Sequence, residues 1–525
     1  MDGGVMRRIF WLALTCSALV ACGTDDTEEL NFDPSGDTEE GDEYEEFVAG
    51  KADSPTGFGA DIEFDAACET GDELTIASVG DVLLHARLQQ QAFAEPDRYI
   101  SLWSGVKDLM EQADITYANL EGPTAPGTNA YGRDVPDPGL RYDNVVYTSY
   151  PMFNYHPALL DDLMASGVDV VSTANNHSLD RRSLGADRTI DELNQRGLPH
   201  TGVRKSDSSS EDWWTVVEAK GWKVAFLACT YGTNGIPDPH KQVLMCFQHA
   251  DKIESMIQTL SARSDLDAVI VTPHWGAEYT ANPSREQFQL AHRFLEAGAI
   301  AILGNHPHVI QPWERYVTSD GRETFVMYSH GNFVSGQRQL PRRSTLILYL
   351  GLARTAEGVK VRGARYIPLH MTDTGNGLTL ESVDRVGKYA DARQHVTRLM
   401  GSRYLLSPND DLVTNPQCDP DWVAPHAHDG WVGGSCESSD SCSQDTQCDT
   451  DLPGGFCTMP CTTTCPDLAR RPTTFCVDLG DGNGSCVLQC TESGECREGY
   501  SCEVEQRLNQ PGTLRKVCIP TPIQE

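Results

Sequence analysis

A chain of 525 residues with 39% hydrophobic and 22% charged side chains has room for two or three domains and a large core. Its formal net charge of −35 excludes a nucleic-acid partner, because phosphate binding needs a basic patch. Beyond the N-terminus no stretch is long and apolar enough to cross a bilayer as a helix.

Met6-Arg7-Arg8 followed by the apolar run Ile9 to Leu14, continuing through Ala18 to Val20, has the basic and hydrophobic regions of an export signal. It ends at Leu19-Val20-Ala21-Cys22-Gly23, which resembles a bacterial lipobox. The resemblance implies cleavage before Cys22 and acylation of that residue. An ordinary signal peptide with a stray cysteine is the alternative. Residues 1–22 are thus expected to be a lipoprotein signal peptide. The mature chain is expected to be exported and held to the membrane, the outer membrane by its Gly23, through lipid alone. From Thr24 to Asp53, acidic residues crowd together with only Lys51 among basic ones. Such a segment cannot bury enough surface to offset its ordering entropy, so residues 23–70 are expected to be an acidic, disordered tether.

Order is expected from residue 71. Leu74 to Val79 reads as a strand ending in Gly80-Asp81, then a helix from Val82 to Ala94 and another from Leu102 to Gln112. Strand Ile115 to Ala118 ends in Asn119-Leu120-Glu121-Gly122-Pro123, and a long loop to Pro157 follows; loops of that length inside compact domains are often functional. Helix Ala158 to Ser166 feeds a β-branched strand from Val168 that ends at Ala174-Asn175-Asn176-His177. Helix Ser183 to Arg196, strand Trp222 to Cys229 and helix Ala250 to Ala262 come next. Strand Leu266 to Thr272 ends at Pro273-His274-Trp275-Gly276, and helix Ser284 to Ala297 leads into strand Ala299 to Leu303, ending Gly304-Asn305-His306-Pro307-His308. Strand Thr324 to Tyr328 ends at Ser329-His330-Gly331-Asn332-Phe333, and Leu346 to Pro368 alternates as an antiparallel hairpin. Strand–helix alternation on this scale predicts an α/β domain over residues 71–412 with a largely buried sheet.

Ligands in open α/β sheets bind at the carboxyl ends of strands. There the chain places Asp81, Glu121, Asn176 with His177, His274, His306 and His308. Carboxylate, amide oxygen and imidazole together suit borderline to hard divalent ions, one or two of Mn, Fe or Zn. Singly, each has a bland explanation: Asp81 as a helix cap, Glu121 as a turn carboxylate, His274 as a core histidine. Recurrence at successive strand ends points to a site. In His306-Pro307-His308, an extended backbone would point both imidazoles the same way, with proline stiffening the spacing.

The series Gly80-Asp81-Val82-Leu83-Leu84, Asn119-Leu120-Glu121, Ala174-Asn175-Asn176-His177-Ser178-Leu179-Asp180, His274-Trp275-Gly276, Gly304-Asn305-His306-Pro307-His308 and Gly331-Asn332-Phe333 resembles the bacterial CapA family. That family is associated with poly-γ-glutamate capsule synthesis and is similar to the calcineurin-like metallophosphoesterases. The resemblance covers roughly Asp72 to Ala390 and implies a four-layer αββα metallophosphoesterase-like sandwich. It further implies Asp81, Glu121, Asn176, His274, His306 and His308 as metal ligands, with His177 catalytic, placed against the leaving group. His85, Asn175, His330 and Asn332 are further candidates. Three departures stand out: Leu83 where those enzymes carry a second ligand, Glu121 in place of a bridging aspartate, and His330 where an apolar residue is more usual.

Twelve of the 18 cysteines lie between Cys436 and Cys518, in a stretch poor in aliphatic runs. With an export signal and an even count, they are expected to form a disulfide-rich module over residues 418–525, zinc binding being the alternative. Cys229 with Cys246, and Cys68 with Cys418, are the expected pairs outside it. Two functions fit the whole: a metal-dependent hydrolase or transferase acting on a surface polymer or peptide, or a non-catalytic accessory that binds or exports such a polymer.

Overall fold

The computed structural model describes residues 62, 64–65, 71–375, 377–401, 404–409, 411–415, 430–443, 446–466, 473–480, 482–490, 495–497 and 499–521. Cys22, most of the tether and the expected pair of Cys68 with Cys418 lie outside the described residues.

The first part of the chain runs β1 (Asp72–Leu83), α1 (Ala86–Ala94), α2 (Lys107–Met110), β2 (Ile115–Leu120), α3 (Ala158–Met164), β3 (Val170–Ser172), α4 (Arg182–Arg196) and β4 (His200–Thr201). Next come β5 (Trp214–Ala219), β6 (Trp222–Thr230), α5 (Ala250–Ser261), β7 (Ala268–His274), α6 (Arg285–Glu296), β8 (Ala301–Leu303), β9 (Ile310–Val317) and β10 (Glu323–His330). The domain closes with β11 (Asn332–Ser335), α7 (Leu340–Arg343), β12 (Ser344–Thr355), β13 (Gly358–Asp373), β14 (Leu378–Ser382), α8 (Val383–Val386) and α9 (Ala390–Met400). One eight-stranded sheet has the order β14-β13-β12-β1-β2-β3-β4, with β11 also paired to β1. A six-stranded sheet has the order β5-β6-β7-β8-β10-β9.

Three apolar cores explain why both sheets persist. Alternate residues of β1 and β12 split between two of them. Ala77, Val79, Ile347 and Tyr349 pack with Leu88 of α1, Leu109 of α2 and Leu159 of α3. Leu74, Ile76, Leu346 and Leu348 face the other way, onto Val224, Phe226, Ile270 and Phe325 of the second sheet. Ala225, Leu227, Val269 and Val271 on that sheet's far side meet Ile253 of α5 and Phe294 of α6. Period-two alternation with both faces apolar therefore yields the layers helix, sheet, sheet, helix, the αββα sandwich that the motif resemblance implies. Helix α6 begins at a capping box, Ser284 and Gln287 satisfying each other's backbone amides, and α4 ends on Gly197 in a left-handed conformation.

Two expected helices differ from what is found. The strand β1 does not end at Val79 but continues to Leu83. Asp81 and Val82 pair with Asn119 and Leu120 on one side, and Asp81 pairs with Asn332 on the other. The helix after it starts only at Ala86. The expected helix from Leu102 to Gln112 is broken into a 3-10 turn, Arg98–Leu102, and the single turn α2. Gly105 lies between them, where a Cβ would sit 3.1 Å from the Leu380 carbonyl, so close packing of this bend under β14 outweighs helix propensity.

Among the described residues the cysteine-rich tail forms three hairpins: β15 (Gln447–Asp449) with β16 (Phe456–Thr458), β17 (Thr474–Asp478) with β18 (Gly484–Leu488), and β19 (Tyr500–Gln506) with β20 (Leu514–Pro520). All twelve cysteines are paired, as Cys436–Cys448, Cys442–Cys457, Cys461–Cys476, Cys465–Cys486, Cys490–Cys502 and Cys496–Cys518. The wiring repeats: in each hairpin two cysteines stand opposite each other, Cys448 and Cys457, Cys476 and Cys486, Cys502 and Cys518, and each bonds to a cysteine upstream of the hairpin. The cores here are small, built around Phe456, Phe475 and Val517, so the covalent links carry stability that burial alone does not supply. Cys229 and Cys246 are bonded as well.

Candidate metal centre

The strand ends of both sheets converge on one buried cluster. Asp81, near the end of β1, and Glu121, just past β2, are wholly buried. Gly122 follows Glu121 at φ +125°, and a Cβ there would meet Tyr155 at 2.9 Å, so only glycine allows the turn that leaves Glu121 in place. The Tyr155 hydroxyl donates to the Glu121 carbonyl at 2.6 Å and tightens that turn.

His274 ends β7, with Nε2 2.8 Å from Asn176 Oδ1 and 3.5 Å from Glu121 Oε1. His306 and His308 leave β8 by a sharp bend. The extended backbone expected for this segment is not what forms: His306 has φ +107° and His308 φ +58°. Asn305 bridges to His274 and β9 must start at Ile310, so the chain has to reverse within these residues. The two rings are still 5.8 Å apart, and His306 lies 4.7 Å from His274. Ligand atoms of Glu121, His306 and His308 all lie within 4.8 Å of one another, as do those of Asp81, Glu121 and His274, so Glu121 belongs to both groups.

Electrostatics single out the same residues. Burial drives the Glu121 carboxyl well above the usual range, and the Asp81 charge adds to that. Neither Glu121 oxygen has a hydrogen-bond partner. Burial also opposes ionisation of Asp81, but its 3.2 Å contact with His308 Nδ1, the charges of His308 and His274 and the hydrogen bond from Asn119 together outweigh this and lower it. Burial would discharge His308, and the charges of Glu121 and Asp81 reverse that, raising it well above the usual imidazole range. Burial brings His274 down to about 3 and lowers His306, whose Nδ1 makes no hydrogen bond. Unpartnered buried donors of this kind, carboxylate and neutral imidazole together, are the chemistry of a divalent-cation site.

Of the other expected residues, His177 stands at the rim with Nδ1 2.7 Å from Asp180 Oδ2, its ring meeting Phe153 edge-on at 4.8 Å. Asn175 donates to the Leu120 carbonyl, holding its own loop against β2. Asn332 Oδ1 lies 3.1 Å from His308 Nδ1 and so orients that ring. His330 is not brought into the donor groups: Nδ1 bonds the Gly304 carbonyl and Nε2 the Ser78 hydroxyl, both at 2.9 Å. Nor is His85, which precedes α1 and accepts from the Gly336 amide.

Sequence reasoning passed over several contributors. Asn119 donates to Asp81 and lies 3.2 Å from His274 Nδ1. Asn234 accepts from Asn176 Nδ2, which turns Asn176 Oδ1 toward His274. Tyr231 lays its ring 4.4 Å from that of His306. Asn119 stood in a quoted motif; Asn234 and Tyr231 lie in Tyr231-Gly232-Thr233-Asn234-Gly235, a strand-end cluster after β6 like the others.

The family model for the bacterial capsule synthesis protein PGA_cap matches residues 75–337, half of the chain, and the chain belongs to that family. It is 26% identical to the PGA biosynthesis protein CapA of Bacillus subtilis over 311 residues, 59% of this chain and 73% of that protein. It is 25% identical to the capsule biosynthesis protein CapA of Bacillus anthracis over 278 residues, 51% of this chain and 61% of that protein. Among solved structures, a phosphatase from Mycoplasma pneumoniae aligns at TM-score 0.34 and 14% identity, over 58% of this chain and 97% of its own. The calcineurin-like phosphoesterase YfkN of Bacillus subtilis aligns at 0.33 and 15%, over 63% and 98%.

Proposed function

We propose that this is an exported, metal-dependent hydrolase or transferase that works on a capsular or other surface polymer. The observation that carries the proposal is Glu121: a wholly buried carboxylate, unbonded at both oxygens and common to two groups of donor atoms. Such a group must either stay protonated or face a cation. Asp81, Glu121, Asn176, His274, His306 and His308 would hold one or two divalent ions, Mn, Fe or Zn by donor type. Once bound, the ion supplies Lewis acidity toward an oxygen of the scissile group.

The chain's own residues would do the rest. Asp180 accepts from His177 Nδ1 and thereby assigns proton exchange to His177 Nε2, the atom that would protonate the leaving group. Phe153 packs edge-on against the His177 ring and limits its swing. Asn234, through Asn176, and Asn332, through His308, keep two donors turned inward. Capsule polymer is the substrate class because the relatives are capsule biosynthesis proteins. The chain would reach the cell surface on a lipid at Cys22, with the acidic segment as a tether and the disulfide hairpins suited to an oxidising compartment. Replacing Cys22 with serine should release the protein from the membrane fraction, and retention there would refute the anchor.

The soluble domain, loaded with manganese, should shorten a γ-linked polyglutamate. His177→Ala should lower that turnover by about 100-fold, the scale of acid–base catalysis, with metal content unchanged. Equal binding of polymer by both proteins, with turnover by neither, would instead establish the accessory role that Leu83 favours.

A further inference from the structure

The rim of the centre presents a carboxylate and an aromatic ring. Glu278 lies in the turn between His274 and Tyr279, a turn pinned by the Tyr279 amide donating to the Pro307 carbonyl at 2.8 Å. The Tyr279 ring lies tilted at 6.0 Å from the His308 ring, so this turn borders the donor cluster. The Glu278 side chain is exposed, and among the described residues it has no ion pair or hydrogen bond. Its charge acts on Glu121, His274, His308 and Tyr231.

Tyr231 supplies the second feature. It is 38% exposed although one ring face lies on His306, and its amide is tied to the His274 carbonyl at 2.9 Å. An exposed aromatic face and an unpaired carboxylate bordering the same donor cluster make a receptor for an ammonium group.

We propose that Glu278 and Tyr231 form a subsite for a substrate ammonium group, so that the centre acts at the free-amine end of a peptide-like chain. This deepens the function proposed above and rests on it. The subsite selects the end of the polymer, while the buried donors carry the reaction.

The test is calorimetric binding of a γ-linked triglutamate with a free amine, and of its N-acetyl form, to the manganese-loaded protein and to two variants. The free amine should bind at least tenfold more tightly than the acetylated peptide. Glu278→Gln should abolish the preference, while Tyr231→Leu weakens it and Tyr231→Phe, which keeps the ring, restores it. Manganese content is measured first on every sample. Equal affinity for the two peptides, no binding of either, or a preference that survives in Glu278→Gln overturns the subsite. A wild type that takes up no manganese would instead overturn the metal centre on which it rests.

Discussion

Asp180 Oδ2 accepts from two donors, His177 Nδ1 and the Phe153 amide, both at 2.7 Å. One carboxylate therefore joins the proposed proton donor to the loop that covers it. Asp180→Asn keeps the shape and removes the charge that stabilises a protonated imidazole. Turnover should fall roughly 10- to 100-fold with metal content intact, as for loss of a group that orients a catalytic acid; single-turnover rates with matched metal analysis decide it, and an unchanged rate would exclude this role. His330 has the opposite character, a core histidine held neutral and brought down to about 4 by burial. The unfolded chain then binds this proton below about pH 6.5 and the folded chain only near pH 4, so stability is lost as pH falls through that window and is complete above it. The contribution is at most about 3 kcal/mol. Urea melts at pH 7.5 and 4.5 should show His330→Gln losing less stability on acidification than the wild type; equal losses would contradict the assignment.

Among the elements, β6 and the segment after it show what local structure does for the site. The Cys229–Cys246 disulfide joins the end of β6 to a passing loop, and the Thr230 amide and carbonyl bond Leu244 and Cys246. Tyr231 and Asn234 emerge from that clamp. Replacing both cysteines with alanine should cost about 3 kcal/mol, the scale for a loop of this length. It should also loosen Tyr231 from His306, visible as faster amide exchange over residues 230–236; unchanged exchange would contradict the clamp. Most long elements were legible because their apolar periods are strong, as in Ala268–His274 or Arg285–Glu296. The strands β9 and β11 were not. Ile310–Val317 carries Gln, Pro, Glu and Arg, and Asn332–Ser335 is four residues long; both are set by their sheet partners rather than by pattern. The strand-end donors were legible as a set, but the reversal at His306 and His308 depends on where the next strand must start, which no local pattern states.

At the scale of the whole molecule, the disulfide hairpins touch the sandwich at α9. Arg507 donates to Gln394 at 2.7 Å while its guanidinium stacks on Phe475 of the second hairpin. The pairing scheme was not legible, since twelve cysteines admit very many connectivities, although even count and composition pointed to disulfides. Among the described residues no helix is long and apolar enough to cross a membrane. Everything proposed for function depends on whether the convergence of both sheets builds a cation site. Metal analysis after equilibration with micromolar manganese or zinc tests this most directly, on the wild type, His306→Ala and Glu121→Gln, with thermal melts to confirm folding. One or two ions per wild-type chain, with clear loss in both folded variants, is the expected result. A folded wild type that binds no divalent ion would contradict the metal centre and leave the accessory role in its place.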